Sequence, residues 1–242
     1  IVSEFLLNEG LTCRWFDVRE LVRTDNTWRE GKVNWETTEK QIREQVSAFL
    51  DQSEGSPAIA LTQGFMGATP GGETTTLGRE GSDYTAAIFA YALQADEMVI
   101  WKDVPGLLNA DPKYFSRTEK LASISYREAI ELSYYGATII HPKTIKPLQN
   151  KDIPLRIKSF VKPGDEGSII QNDTAADSLI PSFIFKVDQV LISIIPRDFS
   201  FIDEQSLSEI LAVFARNSIH ISLMQNSAIR FSVCVDNNQR NH

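Results

Sequence analysis

The segment GFMGATPGGETTTLGREGSDYTAAIFAYALQA, residues 64–95, decides how the rest of the chain reads. An apolar run, Ala58–Leu61, leads into a Gly/Thr loop, and the loop opens onto apolar residues at helical spacing. Backbone N–H groups converge where such a helix begins, with Arg79 and Asp83 beside them. That arrangement suits an anion with ionic partners, a phosphate first of all. The loop is neither a Walker A sequence, lacking Gly-Lys-Ser/Thr, nor a G-x-G-x-x-G dinucleotide fingerprint. The competing reading is a plain strand-to-helix connector. Three features weigh against it. Ser82 is placed to cap the helix, Asp83 falls in its first turn, and Arg79 precedes the cap by three residues. The Arg79 guanidinium could clamp a carboxylate or phosphate, and Asp83 could hold an ammonium group or help place a metal ion.

The 242 residues leave room for one large α/β domain, with or without a small companion. A composition 42% hydrophobic and 23% charged is that of an ordinary soluble protein, and a net charge of −8 argues against a general nucleic-acid binder. Cys13 and Cys234 lie far apart without metal-ligand spacing, which suits a reducing, cytoplasmic compartment. No apolar stretch approaches the roughly 18–20 residues that span a bilayer, and no signal peptide is visible. The chain starts with Ile1 inside a helical pattern, which hints at a fragment.

Along the chain, Ile1, Val2, Phe5 and Leu6 share a helical face that Gly10 would end. Residues 11–18 read as a strand, 25–35 as a polar loop and 36–52 as a helix. On the helix after the Gly/Thr loop, Tyr84, Ala87, Ile88 and Tyr91 form the expected buried stripe, and Ala86 and Ala90 would permit close approach to a sheet. Met98–Trp101 is a short strand, and Asn109-Ala-Asp-Pro is turn chemistry. Ser125 and Glu128 have capping-box spacing before a helix ending near Gly136. His141-Pro142 starts another helix, and residues 153–160 form a strand. Strands alternating with helices predict a three-layer αβα sandwich. After a polar linker at 171–178, a strand at 190–195 and a helix carrying Leu207, Ile210, Leu211 and Phe214 come next. Two alternating strands follow, Ile219/Ile221/Leu223 and Ile229/Phe231/Val233/Val235. Such a small βαββ unit should leave apolar surface for missing chain or a partner to cover.

Other motifs keep two readings each. Asp103, in Trp101–Gly106, follows a strand where α/β proteins place ligand contacts, yet is also a turn former. Asp111-Pro-Lys113 shares that ambiguity. His141 reads more readily as a capping or packed histidine than as a catalyst. His220 lies on the polar face of a strand and is assigned no chemistry; no metal-binding His/Cys cluster stands out. Taken alone, the residues support a phosphate or nucleotide site in an α/β domain.

Taken together, the segments 76–86, 100–106, 110–113, 125–129, 131–137, His141-Pro142 and Ile153-Pro154 resemble the aspartate kinases of the amino-acid kinase superfamily, in the family's order and spacing. From about Phe183 the βαββ pattern is similar to the start of the ACT regulatory domain. The resemblance implies a carbamate kinase-like αβα sandwich over 1–180 and a partial, ferredoxin-like ACT domain over 183–242. It implies transfer of the γ-phosphoryl group of ATP, with Mg²⁺, to the side-chain carboxylate of L-aspartate, giving 4-phospho-L-aspartate. Arg79 would bind an aspartate carboxylate and Asp83 its ammonium group, as the catalytic pair. Ser82 would contact substrate and, with Gly81, the transferred phosphoryl group. Lys102, Asp103, Leu108, Lys113 and Thr138 would lie against the nucleotide. A homodimer or larger oligomer and an amino-acid effector, lysine or threonine, at the ACT domain are implied too, and no nucleic-acid or membrane partner is expected.

Several positions depart from the family's usual residues. Glu80 stands where glycine is usual, Lys102 for threonine, Leu108 near a tyrosine position, Lys113 for arginine and Thr138 for lysine. The family's Lys-Phe-Gly-Gly-Thr-Ser strand and its Gly-Glu pair are absent. Loss of one preorganised charge costs about 10²–10³ in rate, so this segment alone is expected to be inactive. The alternatives are an amino-acid sensor with a vestigial kinase domain, and the kinase part of a bifunctional aspartate kinase–homoserine dehydrogenase.

Overall fold

The computed structural model describes the chain apart from residues 53–56, 136–139, 176, 178, 179, 199 and 238–242 and the side chain of Tyr135. It divides into two compact units, Ile1–Ile184 and Phe185–His242.

In the first unit, α1 (Val2–Asn8) ends where the Gly10 and Leu11 N–H groups donate back to Leu7 and Leu6 O, with Gly10 at φ +79°. β1 (Thr12–Phe16) then runs parallel to β2 (Ala58–Thr62). The strand expected to reach Val18 stops at Phe16. Asp17 accepts from the Arg19 amide and starts a short helix, α2 (Val18–Leu21), which buries Val18 and Leu21. The helix predicted over 36–52 is α3 (Trp35–Ile42), continuing through a π turn (Arg43–Ser47) into α4 (Ala48–Asp51). Asn34 caps it by accepting from Thr37 N.

After β2 comes a hairpin, β3 (Met66–Ala68) with β4 (Thr74–Thr76), and then α5 (Gly81–Leu93). α5 is apolar on more than one side because two cores meet on it. Ala87 and Ala90 belong to a cluster with Met98, Ile100, Leu155 and Ile157, while Ile88 and Ala92 join Phe16, Val18, Leu21, Ile42 and Val46. The predicted stripe is thus half right: Ala87 and Ile88 are buried, Tyr84 and Tyr91 are half-buried, and Ala86 faces solvent.

β5 (Met98–Lys102), β9 (Leu155–Ser159), β10 (Ser168–Gln171) and β8 (Ser123–Ser125) form a four-stranded sheet in that order. β5/β9 and β10/β8 are parallel, and β9/β10 antiparallel. A second hairpin pairs β6 (Leu107–Leu108) with β7 (Lys120–Leu121). Half of the predicted capping box forms at α6 (Tyr126–Tyr135): Ser125 Oγ accepts from Glu128 N at 3.0 Å. Asp177, not Glu128, accepts from Ser125 N, at 2.8 Å. α7 (Pro142–Lys151) has Pro142 at its first position and His141 as its cap, with Nδ1 accepting from Lys143 N at 3.1 Å. α5 packs between α3 and α7, and the whole is mixed α/β.

In the second unit, β11 (Gln189–Ile194), β13 (Arg230–Asp236) and β12 (Ile221–Ser227) make an antiparallel sheet in that order. α8 (Glu204–Arg216) covers it through Phe214, packed with Phe231, Val233 and Val235. The predicted alternation of the second strand breaks at Leu223. The register shifts between Ile221 and Leu223, so Leu223 pairs opposite Cys234 and is 58% exposed. Among the described residues no helix is long and apolar enough to cross a membrane.

Candidate anion and amino-acid site

The carboxyl end of β5 and the start of α5 carry Arg79, Gly81, Ser82, Asp83, Lys102 and Asp103 of the predicted residues, and strand ends are where α/β sheets hold ligands. The β1 and β2 ends are knit together. Thr62 Oγ1 donates to Phe16 O at 2.8 Å, and Gln63 Nε2 donates to Asp17 Oδ1 at 2.7 Å. The Arg19 guanidinium on Asp17 holds that carboxyl down at about 2.

The loop after β2 closes tightly on α5. Phe65 N donates to Thr85 Oγ1 at 2.9 Å, and that hydroxyl donates to Gly81 O at 2.8 Å. A Cβ on Gly64 would sit 2.9 Å from Ser82 Cα, and one on Gly81 2.7 Å from the Phe65 ring, so only glycine permits this approach. The expected Ser82 cap is not formed. α5 begins at Gly81, two residues earlier than a Ser82 cap would place it, and its N-cap position is Glu80, in the left-handed region at φ 54° with no side-chain cap. Ser82 is therefore a first-turn residue, and it is exposed. The Gly81 amide donates to Gly78 O at 3.1 Å, and no side chain caps the rest of the first turn, which stays open to an external acceptor.

Asp83 and Lys102, nineteen positions apart in sequence, meet here: Lys102 Nζ lies 3.5 Å from Asp83 Oδ2 at the end of β5. Burial pushes the Asp83 carboxyl above its ordinary range; the Lys102 ammonium opposes this and the Glu80 carboxylate adds to it. Arg79 is exposed at the same helix start. His141 lies within reach of this group of charges. Burial and then Lys143 lower its pKa, Glu80 opposes the change, and Arg79 reinforces it.

The other expected contacts are more scattered. Asp103 is exposed in the bend after β5, Leu108 is half-buried in β6, and Lys113 is exposed in a turn whose amide donates to Asp111 Oδ1 at 2.8 Å. No ion pair or hydrogen bond among the described residues joins Leu108 or Lys113 to Asp83. Asp111 acts as the turn former of its bland reading, and His141 as a cap. Thr138 lies outside the described residues. Sequence reading missed the Lys102–Asp83 pair and the conformation of Glu80, whose Oε2 is buried with no hydrogen-bond partner among the described residues. The sole signal for the latter was a glutamate at a position where glycine is usual.

A group of this kind, an open helix start with a cation, an anion and a second cation around it, can bind a zwitterion beside a phosphate. The amino acid kinase family model matches residues 1–159. Lysine-sensitive aspartokinase 3 of Escherichia coli K12 is 31% identical over 234 residues, which cover 96% of this chain and 51% of that protein. Two solved structures of E. coli aspartokinase III, one with lysine and aspartate and one with aspartate and ADP, superpose with TM-scores of 0.79 and 0.77 at 31% and 30% identity. Each covers 97% of this chain and 51% of its own. The chain spans about half the length of these relatives. From residues to fold to relatives, the findings agree: the chain belongs to the amino acid kinase family.

Proposed function

We propose that the chain provides the amino-acid and phosphoryl side of an aspartate kinase centre, which transfers the γ-phosphoryl group of ATP to the side-chain carboxylate of L-aspartate. The observation that carries this reading is the open start of α5, with Arg79, Asp83 and Lys102 around it. Aspartate and ADP in the similar E. coli structure support the same choice of substrates.

Each residue has a physical task. Arg79, exposed and forked, takes an aspartate carboxylate in two parallel hydrogen bonds. Asp83, half-buried, takes the ammonium group in a medium where the pairing is stronger than in water. Lys102 then exchanges its hold on Asp83 for the nucleotide phosphates. The Gly81 and Ser82 segment approaches the transferred group through backbone that Gly64 and Gly81 keep uncrowded. Asp103, Leu108, Lys113 and Thr138 border the nucleotide in this reading. A carboxylate oxygen attacks the γ-phosphorus in line, the bond to the β,γ-bridging oxygen breaks, and ADP leaves with that electron pair.

No group of three or more His, Cys, Asp or Glu among the described residues could hold a metal by itself. In this reading Asp83 is committed to the ammonium group and Glu80 Oε2 is buried, so Mg²⁺ would be held by the nucleotide phosphates rather than by these carboxylates, and it would supply charge neutralisation on the phosphoryl oxygens.

Residues 1–180 form the kinase domain in this proposal, and 183–242 a partial ACT domain, supported by the βαββ order and the β11-β13-β12 sheet. Lysine or threonine would act there, in a homodimer or larger oligomer, in the cytoplasm. The buried, unpartnered carboxylate oxygen of Glu80 favours a second reading, an amino-acid sensor with a vestigial kinase site. Calorimetry of the full-length protein with aspartate and with Mg-ATP, joined to an ADP-release assay on the same protein, separates the two. A kinase binds both and releases ADP only with aspartate; a sensor binds an effector and releases none.

A further inference from the structure

A groove of about 410 Å³ runs between α3, α5 and α7. Its volume is within the usual range of small-molecule sites. Trp35, Tyr84 and Tyr91 supply its aromatic wall. The Trp35 ring stands edge-on to Tyr84, centroids 6.4 Å apart at 73°, and to Tyr91 at 5.0 Å and 65°. Lys143, Lys146, Pro147 and Asn150 of α7 form the opposite wall. Lys151 adds a third cation, with Nζ 4.9 Å from the Tyr91 ring centroid. No acidic side chain lines the groove, and neither Lys143 nor Lys146 has an ion pair among the described residues. On a chain with a net charge of −8 such a cluster is a local feature. Arg79, Asp83 and Lys102 do not line it.

Aromatic faces beside unpaired ammonium groups select a particular chemistry. Flat rings stack on or pack edgewise against the indole and phenols. An anionic substituent reaches Lys143 and Lys146, one helical turn apart on α7. The Asn150 amide offers a donor and an acceptor at the far end. A neutral ring would leave the lysines unused, and a bare anion would leave the aromatic wall wet. We propose that this groove binds an aromatic or heteroaromatic anion, a flat ring bearing a carboxylate or a phosphate group. The inference goes beyond the kinase reading and does not depend on it.

The test titrates the chain with phenyl phosphate, with phenylacetate and with inorganic phosphate, followed by tryptophan fluorescence and calorimetry. A saturable signal is expected with at least one ringed anion and none with inorganic phosphate at the same concentrations. Which ringed anion binds tells phosphate from carboxylate. The double variant Lys143→Ala/Lys146→Ala should weaken binding about tenfold. Both lysines are exposed, so the variant should fold. Trp35→Phe should remove the fluorescence change and keep the calorimetric Kd. Asp83→Asn should change nothing. Absence of saturable binding by either ringed anion would overturn the proposal, as would a Kd indifferent to the lysine pair or dependent on Asp83. Aspartate-dependent ADP release plays no part in this test, so its failure and that of the kinase reading are separate results.

Discussion

α5 and α8 are each 13 residues long, and their starts are built in opposite ways. At α8, Asp203 adopts extended backbone and accepts from Ser206 N at 2.8 Å, and the Ser206 side chain, then this amide, hold its carboxyl below the ordinary range. At α5 the corresponding residue, Glu80, is in the left-handed region and caps nothing, while Asp83 in the first turn is half-buried with its carboxyl pushed up. A helix that serves only to cover a sheet satisfies its own terminal amides. A helix start without a side-chain cap, with strained backbone and a desolvated charge beside it, is available to a ligand. The difference is what marks the α5 start as the candidate site.

The largest test of that contrast is catalytic. Introduced into the full-length protein, Asp83→Ala and Arg79→Ala should each lower kcat/KM for aspartate-dependent ADP release about 10²–10³-fold, whereas Asp203→Ala should leave it unchanged. Equal losses at the two helix starts would erase the distinction.

Stability should move in opposite directions at the two caps. Glu80→Gly removes a left-handed conformation that costs a non-glycine residue about 1–2 kcal/mol, and also removes the unpartnered Oε2. Denaturant unfolding should show a gain of about that size. Asp203→Ala should instead lower the melting temperature of the second unit by roughly 5 °C, read by circular dichroism.

The smallest effect is a pH dependence. The Asp83 pKa is raised above 3.8 in the folded chain. Between 3.8 and that higher value the native state binds more protons than the unfolded one, so stability falls as pH rises. Asp83→Asn removes this titration. The variant should melt above the parent at neutral pH, and the gap should close as the solution is acidified below about pH 4. A gap that widens in acid would show the Lys102 pair outweighing burial.

Much of the fold was legible because its signals are local. Val190, Ile192 and Ile194 mark β11, and Pro142 after His141 marks the start of α7. The errors share one cause, a tertiary contact overriding a local pattern. Ser125 N has Asp177 as its acceptor in place of Glu128, 52 residues away in the chain. Leu223 leaves its expected face because the register slips against β13. Ser82 is no cap because the helix starts two residues early, at Gly81, where Gly64 lets the preceding loop pass close against Ser82.

For the candidate site, the sequence by itself determined that Arg79 and Asp83 fall at a helix start behind a glycine-rich loop, while Lys102 entered only through the family resemblance. Periodicity and loop composition suffice for the former, since they act over a few residues. Only the tertiary structure decided that Lys102 reaches Asp83, that burial raises this carboxyl, and that Trp35, Tyr91 and Lys146 share one groove. Burial and Coulomb interaction depend on distance through space, and packing α5 between α3 and α7 sets those distances.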